Sequence, residues 1–531
     1  MILDGRGLPD NQKIYTDVCI VGAGASGISL AIELINTSLN VVMIESGGLL
    51  FNHKTQWLYQ GDNIGRPYYD LEFTKQRYFG GASNKWFGRC RPLDSIDFEE
   101  RSWVPHSGWP FGKDMMDPYY ARAHSVCHLG PYNYDAEYWS SASKKPLPLA
   151  EAGIETKIFQ FSPPTRFGRQ YYSAIKSAEN LTTFLYSNAT FISLDPDGKT
   201  ANHITCATFG GRKLKVFAKN FILAASAIEI TRLLLSSNDI HKHGIGNQND
   251  LVGRFFMEHP HIFCGIITSP LAAAHLRFHN VLDYDSKRGN LGTVGALGCT
   301  EDFMRREKLL NASAFFVKRK NYKCEDLYFS KPAIAWTQVM DVFNHTKAPG
   351  LAFLKDLKIA LKHLDVASKM ALQRLKEIKQ PISWTALRAQ LETVPNPDSR
   401  VTLSERKDRL GMRKVNLDWR LTPQDLENFR KFQQTLFQGL GKSGCTISPF
   451  AHELDETGCP VAMLAGKHHM GTTRMHKDPR KGVVDANCKI HGIANLYIAG
   501  SSVFPTSGQA NPMLTLVALA IRLADHIKTV F

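Results

Sequence analysis

The chain has no long apolar run. No stretch approaches the roughly 18 uninterrupted apolar residues that a membrane-spanning helix requires, so no transmembrane helix is expected. The start, Met1-Ile2-Leu3-Asp4-Gly5-Arg6, lacks the basic-then-apolar pattern of a secretory signal and carries no twin arginine, which makes the cytoplasm the default location. Cysteine is sparse: 10 among 531 residues, with no C-x-x-C pair. That spacing excludes a disulfide framework and a zinc ribbon and suits a reduced compartment; no metal ligand set is expected. The net charge is +15, yet no compact Lys/Arg patch interleaved with aromatics accompanies it, so nucleic acid is not an expected partner. There is no internal repeat and no low-complexity tract.

What is present is an ordinary globular composition, 43% hydrophobic and 21% charged, in a chain long enough for two or three domains. Thr16–Val21 reads as a short buried strand. It runs into Gly22-Ala23-Gly24-Ala25-Ser26-Gly27, then a helical pattern over Ile28–Ile35 and a second strand, Asn40–Ile44, ending on Glu45. This is the βαβ dinucleotide fingerprint in its required context. Gly22 permits the tight turn, Gly24 lets the backbone approach a pyrophosphate, and Gly27 lets helix and strand pack closely. Glu45, 18 residues after Gly27, is placed to accept hydrogen bonds from an adenosine ribose. The fingerprint alone does not separate NAD from FAD.

Tyr78-Phe79-Gly80-Gly81-Ala82-Ser83-Asn84-Lys85-Trp86 is a glycine-rich loop able to lay backbone N–H groups against a phosphate or a flat ring, although an ordinary surface turn reads the same way. Asp117-Pro118 predicts a helix entrance. Phe184–Tyr186, a turn at Asp195–Gly198, Lys213–Phe217 and the buried strand Phe221–Ser226 return the chain to the first sheet, with helix Glu229–Ser236 after it. Small residues at the end of Phe221–Ser226 leave room for a ligand at the sheet crevice.

From about 258 to 450 the pattern changes. Alternating segments such as Ile262–Thr268 predict a separate sheet, and Asn396–Ser399 a turn leading into strand Arg400–Leu403, with Val415–Arg420 as its partner strand. Leu354–Lys379 is a basic amphipathic stretch carrying Lys355, Lys358, Lys362, Lys369, Arg374, Lys376 and Lys379. It suits an anionic membrane surface, but a cap helix with a solvated face is the commoner use of such a pattern. Leu496–Gly500 is another strand, and Asn511-Pro512 opens an apolar helix to about Ile527, where capping alone would explain the asparagine. Before it stands Lys467-His468-His469-Met470-Gly471-Thr472-Thr473-Arg474-Met475, two adjacent histidines ahead of a Gly-Thr turn. A histidine is the usual side chain where a proton moves near neutral pH.

Five ordered blocks together resemble the glucose–methanol–choline (GMC) flavoprotein oxidoreductases along nearly the whole chain: Gly22–Gly27 with Glu45–Gly48, Gly80–Asn84, Ala224–Leu235, His468–Met475 and Asn495–Asp525. The resemblance implies an α/β fold with a discontinuous Rossmann-like FAD-binding domain and an α+β substrate domain built on an antiparallel sheet. The expected division is 14–100, 181–257 and 460–531 for the FAD domain, 101–180 for a connecting or lid segment, and 258–459 for the substrate domain. It implies FAD, with Gly22, Gly24, Ala25, Ser26, Gly27, Glu45, Gly81, Ser83, Asn84, Ala224, Ala225, Gly500, Ser501, Asn511, Pro512 and Met513 expected at the cofactor.

The family's catalytic histidine, three residues before the Gly-Thr glycine, falls on His468, and its partner falls on Asn511. An asparagine partner is similar to the sugar- and sterol-oxidising branches. A neutral imidazole can take the hydroxyl proton while the flavin N5 takes the hydride, and an amide opposite can hold the same oxygen. The helix after Asn511 turns its positive end toward the flavin.

Three departures matter. Lys85 stands where some relatives attach FAD covalently through a histidine, so non-covalent FAD is expected. Ala224-Ala225-Ser226 replaces the usual Ala-Ala-Gly. No cysteine occupies the His468 position, against the light-driven decarboxylase branch. The expected substrate is an alcohol, a sugar or a related polyhydroxylated molecule, with oxygen or another species as electron acceptor. The alternatives are the catalytic subunit of a membrane-associated polyol dehydrogenase and a GMC-fold lyase without net redox.

Overall fold

A computed structural model describes residues 1–163, 165–268, 273–279, 284–285, 291–319, 384–452, 454–455, 460 and 462–531, with scattered positions between 357 and 368. The basic stretch Leu354–Lys379 therefore lies mostly outside the described residues.

The first sheet forms around Gln12–Val21, whose last four residues are buried. A strand apolar on both faces belongs in the middle of a parallel sheet, where helices cover each side. It pairs in parallel with Val41–Ile44 on one side and Lys213–Leu223 on the other. Leu181–Leu185 and Ile2–Asp4 extend the sheet outward in parallel, and Leu496–Ile498 joins Lys213–Leu223. The segment from Asn188 to Leu223 runs as an antiparallel meander whose last strand is this central one. The predicted pieces Lys213–Phe217 and Phe221–Ser226 are thus one strand.

Three helices bury that sheet: Ala25–Leu34, Lys113–Cys127 and Met513–Thr529. Met513–Thr529 is buried along most of its faces, as its composition predicts. Lys113–Cys127 begins before Asp117-Pro118, not at it, and Pro118 lies inside. The buried stripe Met116, Tyr120, Ala123 and Cys127 continues upstream of the proline, and packing of that stripe outweighs the one backbone hydrogen bond the proline cannot donate.

The second sheet is antiparallel, in the order Ile447–Pro449, Pro260–Ile267, Trp384–Leu391, Ala312–Arg319, Leu291–Cys299, Ile154–Phe161 and Arg89–Cys90. Two of its strands, 89–90 and 154–161, come from before residue 258. One face packs Ile262, Cys264, Leu297, Phe316, Leu387 and Ala389 against Phe429, Phe432, Leu436 and Leu440 of helix Pro423–Lys442. Each of the Ile, Leu and Phe side chains among them contributes about 1.5–3 kcal/mol by leaving water. Because side chains alternate along a strand, the other face carries Phe159, Phe315, Arg388, Gln390 and His261.

Arg400–Lys407 and Arg413–Asp418 pair with each other as expected, and the turn before them is present, with Ser399 N–H donating to the Asn396 carbonyl. They do not join the large sheet. They form a third, three-stranded sheet with Gly61–Asn63 and pack Val401, Val415 and Leu417 under Trp419.

Candidate active site

A cleft of about 1110 Å³, its open mouth included, runs along the carboxyl ends of the parallel strands. Of the residues expected at the cofactor, Gly22, Gly24, Ala25, Ser26, Glu45, Gly81, Ser83, Ala224, Ala225, Gly500, Ser501 and Met513 line it. Gly27, Asn84, Asn511 and Pro512 do not. Gly27 serves packing instead: a Cβ there would sit 1.9 Å from the Gly22 carbonyl oxygen. Asn84 Nδ2 donates to the Phe79 carbonyl (2.9 Å) and closes the glycine loop.

The cleft suits a dinucleotide. A Cβ on Gly24 would meet nothing within 4 Å, so the backbone there is open to a close ligand. Helix Ala25–Leu34 starts without a side-chain cap, leaving first-turn N–H groups for an anion. Glu45 is buried and holds the Ala23 N–H (2.9 Å) and Gly47 N–H (2.7 Å), which fixes it at the end of its strand, and burial raises its pKa. Beneath it Arg77 is tied to Glu229 (2.8 Å) and to Ser46 (2.6 Å).

His469 lines the same cleft, and His468, one residue earlier, meets Asn511. Their segment is zipped to another: Met257 and Met470 exchange backbone hydrogen bonds, Gly253 N–H donates to Thr472, and Gly466 N–H donates to His259. Gly471 makes the turn at φ +84, where a Cβ would press 2.1 Å from the Phe255 carbonyl oxygen. That register sets Glu258 and His259 beside the two predicted histidines.

The hydrogen bonds fix the tautomers. His259 Nε2 faces the Gly508 carbonyl oxygen at 2.9 Å. A carbonyl only accepts, so Nε2 carries the proton and His259 Nδ1 is a lone pair. His259 Nδ1 lies 3.0 Å from His468 Nδ1, so His468 Nδ1–H donates to it. His468 Nε2 is then the acceptor, and the Asn511 amide nitrogen donates to it at 3.1 Å. Asn511 does not cap its helix; no side chain does, and its Oδ1 has no partner. Capping therefore does not account for this asparagine.

Glu258, fully buried, anchors the cluster. Its Oε2 accepts the backbone N–H of His468 (2.8 Å) and of His259 (3.1 Å), and Oε1 accepts the Tyr68 hydroxyl. Tyr68 also meets His469 Nε2 at 2.9 Å, which commits that ring's outer nitrogen to a structural bond. Lys75 Nζ donates to the Lys467 carbonyl (2.6 Å), and burial pushes its pKa down to about 8.

Burial, followed by the charges of His259, His261, Lys75 and Arg89, holds the His468 pKa well below 6.5. Burial likewise takes His259 down to about 4. His468 is therefore neutral at pH 7.

Glu258, His259, Tyr68 and Lys75 were not singled out from the sequence. A signal existed for His259: Glu258-His259-Pro260-His261 places two histidines at the two-residue spacing that puts them on one strand face.

Residues 395–520 match the family model GMC oxidoreductase. Residues 17–79, the βαβ unit and the loop after it, match the model Lycopene cyclase protein. The fructose dehydrogenase large subunit of Gluconobacter japonicus is 24% identical over 97% of this chain and 98% of its own length. Paromamine 6'-oxidase of Streptomyces fradiae is 24% identical over 99% of this chain and 93% of its own. The solved pyridoxine 4-oxidase from Mesorbium loti has the same fold, with a TM-score of 0.56 at 17% identity over 96% of this chain and 98% of that one. The likeness runs from end to end and covers the His468 and Asn511 segments, and the chain is similar along its length to GMC oxidoreductases, FAD-dependent enzymes that act on alcohol groups.

Proposed function

We propose that the protein oxidises a hydroxyl of a sugar or related polyhydroxylated molecule, with His468 as the base and FAD held non-covalently in the cleft. The single observation behind this reading is the neutral His468 Nε2 lone pair opposite Asn511 Nδ2. A hydroxyl that replaces this direct contact donates its proton to Nε2 and accepts a hydrogen bond from the amide, so one oxygen is both deprotonated and held. Bound FAD supplies the acceptor for the hydride lost from the same carbon. The products balance: a carbonyl, a protonated imidazole and a two-electron-reduced cofactor.

The sugar preference draws on the relatives whose names specify fructose and the aminosugar paromamine. Non-covalent attachment follows from Lys85 at the position of a tethering histidine; its ammonium lies over the Phe51 ring at 5.8 Å. Anaerobic mixing with hexoses, hexitols and simple alcohols tests the assignment: loss of the oxidised-flavin band supports it, and no bleaching by any hydroxyl compound would sink it. Release of flavin on acid precipitation tests the attachment.

A second reading is favoured by one observation, that the fructose dehydrogenase relative is named a large subunit. In it this chain passes its electrons to a partner subunit. Turnover with an artificial acceptor but not with oxygen, together with co-purification of a second chain, would support it.

A further inference from the structure

We propose that the sheet face beside His468 carries an oxyanion subsite built on Arg89, and that the physiological substrate is a hydroxy acid of the sugar class, bearing a carboxylate. This deepens the reading of His468 and Asn511 as an alcohol-oxidising pair and rests on it.

Arg89 lies on the edge strand of the antiparallel sheet, paired with Phe161. Its guanidinium stacks over the rings of Phe315 (4.2 Å) and Phe159 (5.9 Å), which holds the fork in one plane on the sheet face that carries His261 and Gln390. Phe315 stands directly across from Arg388, and Gln390 directly across from His261. The His261 ring is 6.2 Å from the His468 ring, so this face lies beside the proposed base.

Most of the other enclosed arginines are paired with an acceptor. Arg77, Arg91, Arg101 and Arg232 each hold a carboxylate at 2.6–2.8 Å, and Arg474 donates to the His106 carbonyl. Among the described residues no carboxylate or carbonyl receives the Arg89 guanidinium. Instead it faces a second cation, Arg388; burial and that neighbour push its pKa down to about 9, which still leaves it charged at neutral pH.

An uncompensated guanidinium in such a wall is costly unless an anion fills the space. Its charge reaches the reacting end too, since it is among the influences that depress His259, His261 and His468. The same face offers two further polar side chains, Gln390, its amide nitrogen committed to the Gln509 carbonyl (2.6 Å), and His261 directly across from it. They suit the hydroxyls of a polyhydroxy acid, with the carboxylate in the bidentate fork of Arg89.

The test compares matched hexitols, hexonates, hexuronates and hexitol phosphates by anaerobic flavin reduction. It uses the holoenzyme, Arg89→Met and Arg89→Lys, and adds calorimetric binding of each acid. The best hexonate or hexuronate is expected to exceed its matched hexitol in kcat/KM by about tenfold or more. Arg89→Met is expected to collapse that ratio through KM, and Arg89→Lys to restore part of it. An unchanged ratio in Arg89→Met, or no preference for acids at all, overturns the subsite. A preference for the phosphates that Arg89→Met abolishes keeps the subsite and overturns the carboxylate. If no compound bleaches the flavin while acids bind in an Arg89-dependent way, the alcohol-oxidising reading fails and the subsite stands.

Discussion

His259 provides the sharpest perturbation, because it touches neither the cofactor cleft nor the substrate hydroxyl and acts only through His468. Replacing it with alanine removes the acceptor 3.0 Å from His468 Nδ1. The buried donor left behind costs about 1–3 kcal/mol, and nothing then holds the proton on Nδ1 and the lone pair on Nε2. If that cost falls on the reactive arrangement alone, flavin reduction slows by about 5- to 150-fold. His259→Asn returns a carbonyl oxygen near the position of Nδ1 and should recover most of the rate.

The pH profile separates this role from simple loss of packing. His468 is depressed first by burial and then by His259, so without His259 its pKa rises toward 6.5 and the acid limb of the reduction rate moves to higher pH. The assay is stopped-flow reduction of the bound flavin across pH, with flavin content measured in each variant. A fully flavinylated His259→Ala protein with the wild-type rate and acid limb would refute the tautomer argument, as would an Asn variant no better than the Ala one.

Gly27→Ala places a Cβ 1.9 Å from the Gly22 carbonyl oxygen, which separates helix from strand; the purified protein should carry little flavin, read as the flavin-to-protein absorbance ratio. Arg101 and Glu392 form a bidentate pair with both side chains fully buried, so Arg101→Met should cost about 3–5 kcal/mol, seen as a lowered Tm, and Arg101→Met with Glu392→Gln should recover part of it. His259 and His279 are both held near 4 by burial, so between about 6.5 and 4 the unfolded chain binds protons that the folded chain does not. Their contribution to stability is therefore full above 6.5 and falls as pH drops through that window, by about 1 kcal/mol per pH unit for each histidine; Asp97 and Asp425, raised to about 8 and about 6, act in the opposite direction, so the share of His279 is read as the shallower acid decline of Tm in His279→Gln than in the wild type.

Local signals in this sequence are faithful where local physics decides. The βαβ unit at 12–44 and the apolar helix after Asn511 follow from strand and helix periodicity with glycines at close approaches, and both are present. Pro118 shows the limit: a proline reads as a helix start, yet Met116 buries on the same stripe as Tyr120 and draws the helix upstream. The third sheet was equally hidden, since the pairing of Val415 with Gly61 joins residues more than 350 positions apart and leaves no local mark. At the site, His468 and Asn511 came from motif resemblance. Their tautomer-fixing neighbour His259 came only from the backbone bridge between Met257 and Met470. Asn511 is the clearest case of an ambiguous residue: capping explains it in the sequence, and its side chain points to a histidine in the fold.

The central claim is that His468 removes the hydroxyl proton. The most direct measurement is anaerobic reduction of bound FAD by the best alcohol of the panel, comparing the wild type with flavin-replete His468→Ala. The account predicts a loss of about 10²- to 10⁴-fold for His468→Ala. It also predicts a much smaller loss for His469→Ala, whose outer nitrogen is already engaged by Tyr68. Wild-type reduction by His468→Ala, or a larger loss at His469 with the flavin still bound, would contradict it.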